Sequence, residues 1–168
     1  MEKILQEIKL IVLDIDGVLT DNKFTMDELG NLRKTFNYSD LMAIEQMREY
    51  FEVVLVSSAD RVNPKFAEYA ELPYYHIKFG GRRDKKDFMF KYLQKRNLSW
   101  RNVLFVGDSP VDKKLLIASA LGFCPADAAP EIKQLKGIYQ LSRNGGQGVI
   151  EELYEIIRPE IMRRLKHG

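Results

Sequence analysis

Two aspartates one residue apart, Asp14 and Asp16, end an apolar run and are followed by Gly17 in Leu13-Asp14-Ile15-Asp16-Gly17-Val18-Leu19-Thr20-Asp21. A second acidic pair, Asp108 and Asp112, follows another such run, Leu104-Phe105-Val106-Gly107. Between them Val53-Val54-Leu55-Val56 stops at Ser57-Ser58, and Asp84-Lys85-Lys86 opens an amphipathic stretch. If the first strand continues through Asp16, the i, i+2 spacing points both carboxylates to one side, and Gly17 then lets the backbone turn sharply. Three carboxylates gathered at one sheet edge repel one another. They are tolerated in a partly buried site when a hard divalent cation binds them, and Mg2+ prefers such oxygen ligands. A carboxylate, a hydroxyl, a lysine and a metal are the parts that phosphoryl transfer needs. Lysine and metal offset the charge on the phosphoryl oxygens, while a carboxylate attacks phosphorus.

Each residue taken singly also has a purely structural explanation. Asp-Gly favours turns, Asp108-Ser109-Pro110 could cap a helix, Ser57 and Ser58 could close a strand, and Lys85 could be a solvated helix residue. Independent capping accidents at three strand ends are improbable together, so the residues are read as one site.

The elements that must position them follow from the apolar pattern. Near-continuous apolar runs at Ile8 to Leu13, Val53 to Val56 and Val103 to Val106 suit strands covered on both faces. Weaker strand candidates are Tyr74 to Phe79, Gly122 to Pro125 and Gly137 to Leu141. Leu41, Ile44, Met47 and Phe51 recur at helical spacing behind an N-cap at Ser39 or Asp40. Ile150, Leu153, Ile157 and Ile161 predict a final helix that Pro159 should kink or restart. This alternation means an α/β fold with a doubly wound, Rossmann-like parallel sheet. Residues 21–36 break the rhythm; Glu28 to Asn31 is turn-rich and flanked by short runs, which predicts a β-hairpin over the carboxyl end of the sheet. Residues 1–168 are expected to form a single domain with a C-terminal helix or tail over about 147–168.

Composition excludes several classes. The 26 Lys and Arg nearly balance 24 Asp and Glu, so there is no basic excess for nucleic acid. No apolar run approaches the ~18 residues that cross a bilayer, and the first residues lack a signal peptide's apolar region, so a cytoplasmic protein is expected. The lone Cys124 is read as buried packing, and His76 and His167 as structural or exposed.

The segment Asp14-Ile15-Asp16-Gly17-Val18-Leu19-Thr20 resembles the D-x-D-G-[VT]-L-[TS] signature of haloacid dehalogenase (HAD) superfamily phosphatases. Ser57, Lys85 and the pair Asp108 and Asp112 fall in order at that family's three later motifs. The resemblance implies that Asp14 attacks phosphorus, and that Asp16 protonates the leaving alcohol and then deprotonates water. It implies that Ser57 and Lys85 hold the phosphoryl oxygens. It also implies Mg2+ bound by Asp14, the Asp16 backbone carbonyl and Asp108, with Asp112 supporting the metal shell.

The spans between the motifs are too short for a cap domain. Asp14 to Asp21, Phe36-Asn37-x-x-Asp40, Gly107-Asp108 and Asn144-Gly145-Gly146-Gln147-Gly148 resemble the capless 3-deoxy-D-manno-octulosonate 8-phosphate (KDO 8-phosphate) phosphatase group. That implies a phosphorylated sugar acid as substrate, contacts to it at Asp40, Ser58, Gly146 and Gln147, and a homotetramer assembled through the hairpins. Ser39, Ala59 and Gln147 stand where that group has arginines, and arginine is the preferred carboxylate clamp. Competing readings are a phosphatase of another sugar phosphate, such as acylneuraminate 9-phosphate, and a non-catalytic oligomerisation module. A response-regulator receiver fits less well, because its phosphoacceptor lies on the third strand.

Overall fold

The computed structural model describes residues 1–59, 61–78 and 84–167, the last without its side chain. After a short helix α1 (Glu2–Leu5), the apolar run forms β1 (Leu10–Asp14). Next come a hairpin of β2 (Thr25–Met26) and β3 (Leu32–Arg33), the helix α2 (Tyr38–Arg48) and β4 (Glu52–Ser57). Then follow α3 (Asn63–Tyr69), β5 (Tyr74–His76), α4 (Lys85–Lys95) and β6 (Val103–Val106). The chain ends with α5 (Lys113–Ala118), β7 (Leu121–Cys124), α6 (Pro130–Lys133), β8 (Ile138–Gln140) and α7 (Val149–His167).

Six strands form one parallel sheet in the order β5-β4-β1-β6-β7-β8. Successive side chains of a strand point to opposite faces, and both faces are apolar. Ile11, Leu13, Val53, Leu55, Leu104 and Val106 pack with residues of α2, α3 and α7. Leu10, Val12, Val54, Val56, Val103 and Phe105 pack with residues of α4, α5 and α6. Cutting one such buried side chain to Ala costs about 2–5 kcal/mol. Cys124 is fully buried here, as its apolar setting suggests, and burial pushes its thiol up to about 11.

Register brings the site together. Asp14 pairs with Val56, so Ser57 lies one residue past the end of that pairing. Leu13 pairs with Val106, so Asp108 follows two residues beyond on the other side. Thus Asp14, Ser57 and Asp108 all reach the carboxyl edge of three adjacent strands, where open α/β sheets bind ligands.

Several boundaries differ from the sequence reading. The cap of α2 is Asn37, whose side chain accepts from the Ser39 N–H at 2.9 Å, rather than Ser39 or Asp40. β1 stops at Asp14, because the amides of Val18, Leu19 and Thr20 all turn back to the Ile15 carbonyl. The i, i+2 argument therefore does not apply, and Asp14 and Asp16 meet different partners. β5 ends at His76, which is exposed, and Phe79 lies outside the described residues. The helix α7 runs through Pro159 without restarting. Its buried stripe packs along α2, and beyond Pro159 the Arg164 guanidinium donates to the carbonyls of Ile8 (2.8 Å), Leu5 (3.1 Å) and Tyr50 (3.2 Å). Those contacts hold the last turns where a lost backbone bond would otherwise let them fray.

The hairpin forms as expected, antiparallel, with the Asp27 carboxylate accepting from the Leu29 and Asn31 amides in its turn. Between β4 and α4 the described residues form only α3 and β5, so no cap domain is inserted there. No helix among the described residues is long and apolar enough to cross a membrane.

Candidate active site

Asp14, at the end of the central strand, is 4% exposed and lies among charged neighbours. Lys85, first residue of α4, is placed by the Asp84 cap, whose side chain accepts from the Asp87 N–H at 2.8 Å. Its ammonium bridges Asp14 Oδ1 at 2.8 Å and Asp112 Oδ1 at 2.7 Å. Burial pulls the Lys85 pKa down, but the Asp14 and Asp112 carboxylates outweigh it and hold it above the ordinary lysine range. Burial, aided by Asp112, raises Asp14 well above the usual carboxylate value, against the opposing pull of Lys85.

Asp112 is fully engaged. Beyond its pair with Lys85, its Oδ2 accepts from the Ser109 hydroxyl (2.9 Å) and from the Asp108 and Ser109 amides (both 3.2 Å). It thereby closes the turn after β6 and leaves Asp108 facing Asp14. Burial, with Asp112 second, pushes the Asp108 carboxyl up to about 7. Its Oδ1 is buried without a hydrogen-bond partner.

Oxygens of Asp14, Asp108 and Asp112 lie within 4.8 Å of one another. A buried carboxylate oxygen with no donor carries a desolvation cost that a cation relieves. The donor set is all oxygen, which suits a hard divalent ion. Asp14, Asp16, Asp108 and Asp112 face two ammonium groups, Lys85 and Lys34, which leaves two negative charges. The residues present fit a divalent cation. Asp14 and Asp108 are the side chains free to hold it, since the hydrogen bonds of Asp112 suit a supporting place. Gly17 allows the close approach: at φ +86°, a Cβ on it would sit 2.0 Å from Asp108 Oδ2.

Asp16 lies on the other side of the turn. Lys34, on the returning limb of the hairpin, pairs with its Oδ1. Asn63, at the start of α3, donates from Nδ2 to Asp16 Oδ2 at 2.8 Å and to Ser57 Oγ at 2.9 Å. Lys34 also donates to Asn63 Oδ1 at 3.0 Å. Ser57 is buried and accepts from the Ala59 N–H at 3.1 Å, with its own hydroxyl 3.4 Å from Asp16 Oδ2.

Asp14, Asp16, Ser57, Lys85, Asp108 and Asp112 therefore come together. The residues expected to contact substrate divide differently. Asp40, in the first turn of α2, is 1% exposed and faces the start of α7, where its Oδ1 accepts from the amides of Ile150 (2.7 Å) and Glu151 (3.0 Å). It caps a helix, because Gly148 before α7 has no side chain to do so. Gly145 and Gly146 lie against the loop after β1: Gly146 N–H donates to the Val18 carbonyl at 2.9 Å, and a Cβ on Gly145 would meet the Gly17 oxygen at 2.2 Å. Ser58 and Gln147 are exposed, and the Ser58 carbonyl meets His76 Nε2 at 3.1 Å. Sequence reasoning missed Lys34 and Asn63. A lysine beside a predicted hairpin over the sheet edge was a faint signal for the first; nothing local marked the second.

No protein-family model matches the chain. It is 26% identical over 160 residues to the KDO 8-phosphate phosphatase KdsC of Haemophilus influenzae, covering 94% of this chain and 86% of that one. It is 28% identical over 156 residues to N-acylneuraminate cytidylyltransferase B of Danio rerio, covering 89% of this chain and 36% of that longer protein. Among solved structures, a HAD superfamily (subfamily III A) hydrolase described as putative, from Legionella pneumophila, superposes with a TM-score of 0.85 at 25% identity, over 94% of this chain and 85% of that one. The KDO 8-phosphate phosphatase of Moraxella catarrhalis, solved with magnesium, phosphate and KDO, shares the fold at a TM-score of 0.82 and 20% identity, over 95% and 92% of the two chains. In sequence over nearly its whole length and in its capless α/β fold, this chain resembles HAD superfamily phosphatases, and among them the KDO 8-phosphate phosphatase group.

Proposed function

We propose that the protein is a Mg2+-dependent phosphoric monoester hydrolase acting on KDO 8-phosphate, a phosphorylated sugar acid, to release KDO and phosphate. The observation that carries the chemistry is the buried Asp14–Lys85–Asp112 chain beside the unpartnered Asp108 oxygen, with Asp16 a turn away. Asp14 and Asp108 would hold the cation, with the Asp16 carbonyl as a further ligand and Asp112 supporting them. When bound, the cation offsets charge on the phosphoryl oxygens and lets the Asp14 carboxylate approach an anionic substrate.

The residues then divide the work. An Asp14 oxygen bonds to phosphorus as the ester P–O bond breaks. The electron pair leaves on the ester oxygen, which takes a proton from Asp16. The aspartyl-phosphate is hydrolysed when a water oxygen bonds to phosphorus and its proton returns to Asp16. The P–O bond to Asp14 breaks, and the pair goes back to the carboxylate. Lys85 and Ser57 orient the phosphoryl oxygens throughout.

The KdsC relatives support KDO 8-phosphate as substrate. The cytidylyltransferase match favours a second reading, an acylneuraminate 9-phosphate substrate or a module serving assembly alone. Self-association as a homotetramer belongs to the same proposal, supported by Phe24 (58% exposed), Met26 (58%) and Leu29 (87%) on the hairpin. The test is phosphate release with Mg2+ from KDO 8-phosphate and a panel of sugar phosphates, wild type beside Asp14→Asn. Preference for KDO 8-phosphate, abolished in the variant, supports the proposal. Activity confined to other esters rejects the substrate, and no turnover on any ester rejects the phosphatase.

A further inference from the structure

The side chains of Lys34, Asn63 and Asp16 close a ring of hydrogen bonds. Lys34 donates to both Asp16 Oδ1 and Asn63 Oδ1, and Asn63 donates back to Asp16 Oδ2. Asn63 is fully buried, and every polar atom of its side chain faces this ring or Ser57. Asparagine favours the cap position of a helix, yet Asn63 stands one residue after it, Val62 occupies the cap, and α3 has no side-chain cap bond. The side chain is turned into the site instead. The Lys34 side chain is only 9% exposed, although the strand it follows lies on an exposed hairpin.

We infer that Lys34 and Asn63 are positioning residues that lock the Asp16 carboxyl in the orientation needed to exchange a proton with the leaving oxygen and with water. This rests on the phosphatase reading above. Asp16 follows a strand end and sits in a turn, with 23% of its side chain exposed. Without the ring, rotation about its side-chain torsions would move the carboxyl oxygens by more than an ångström, and a misplacement of about 1 Å costs on the order of 10²-fold. The ring also ties hairpin, α3 and the turn after β1 to one carboxylate, so the hairpin's seating over the sheet edge and the acid–base geometry are coupled. Asn63 joins this ring to Ser57, and through it proton transfer and phosphoryl binding share a scaffold.

The test compares kcat/KM for two esters, a sugar phosphate that the wild type hydrolyses and 4-nitrophenyl phosphate. The nitrophenolate anion departs without a proton, so its release does not need a well-placed acid. This ratio covers steps only up to formation of the aspartyl-phosphate, so slower hydrolysis of that intermediate does not obscure it. Asn63→Ala and Lys34→Met should each lower kcat/KM for the sugar ester on the order of 10²-fold and for the aryl ester by less than about tenfold. Competitive inhibition by inorganic phosphate measures any loss of phosphoryl binding that the variants cause through Ser57, a loss common to both esters that cancels in their ratio. Equal losses on both esters, or no loss on either, overturn the inference; should Asn63→Ala fail to fold, Lys34→Met decides. An inactive wild type overturns the phosphatase reading and the ring's role with it, whereas an active wild type with equal losses in the variants overturns the ring alone.

Discussion

Replacing Asp40 separates two roles that the chain's motifs alone confuse. Asp40 lies in the first turn of α2, yet its Oδ1 accepts from Ile150 and Glu151, 110 and 111 residues later. Ile150 is fully buried and Asp40 is 1% exposed, so water cannot take over the Ile150 bond, while the half-buried Glu151 amide is less strictly sealed. Asp40→Ala removes the acceptor of two amide donors at the start of α7, of which the buried Ile150 amide is left unsatisfied. Losing a helix cap costs about 0.5–2 kcal/mol, and each unsatisfied buried group about 1–3 kcal/mol. Against this stands the relief of Asp40's own burial, which raises its pKa despite the opposing amides and leaves Oδ2 unpartnered. The net expectation is a loss of about 2–3 kcal/mol. In a chain of this size that lowers Tm by about 4–12 °C. Asp40→Asn keeps an acceptor oxygen and should lose less. Thermal and urea unfolding measure the cost, and KM on the best substrate is measured in parallel at a temperature where both variants are folded. A Tm within about 2 °C of wild type, together with a raised KM, would refute the capping argument and return Asp40 to the substrate.

Two further outcomes follow from burial and charge. Asp108 is pushed to about 7 from an ordinary 3.8, so its folded-state value lies above that of the unfolded chain. The metal-free protein therefore loses stability as pH rises from about 4 to about 7. A divalent cation replaces that proton, so Mg2+ should raise Tm more at pH 8 than at pH 6, with affinity falling towards tenfold per unit below about 7; equal shifts at both values would contradict the assignment. At the other end of the sheet, Arg164 pairs with the buried Glu160 and lies 4.3 Å over the Phe51 ring. Arg164→Ala should destabilise by about 2–4 kcal/mol in urea unfolding, through orphaned carbonyls and a weakened buried pair, while kcat at permissive temperature stays unchanged.

What the sequence by itself determined was what local pattern encodes. Continuous apolar runs specified a sheet covered on both faces, and the turn-rich Glu28 to Asn31 specified the hairpin. The recurrence of acidic and hydroxyl residues just past three runs located the candidate site, because parallel register carries every strand end to one edge. The roles within that site depended on contacts across long stretches of chain. Asp40 lay near the motifs in sequence but was drawn into the packing of α2 on α7, where a glycine before the last helix left its amides uncapped. Lys34 and Asn63 reach Asp16 from 18 and 47 residues away. Asp112 is held to Lys85 across 27 residues, which leaves the unpartnered oxygen to Asp108. Only the tertiary structure decided these partners, because apolar periodicity states which face of an element is buried and not which polar side chains meet where buried faces end.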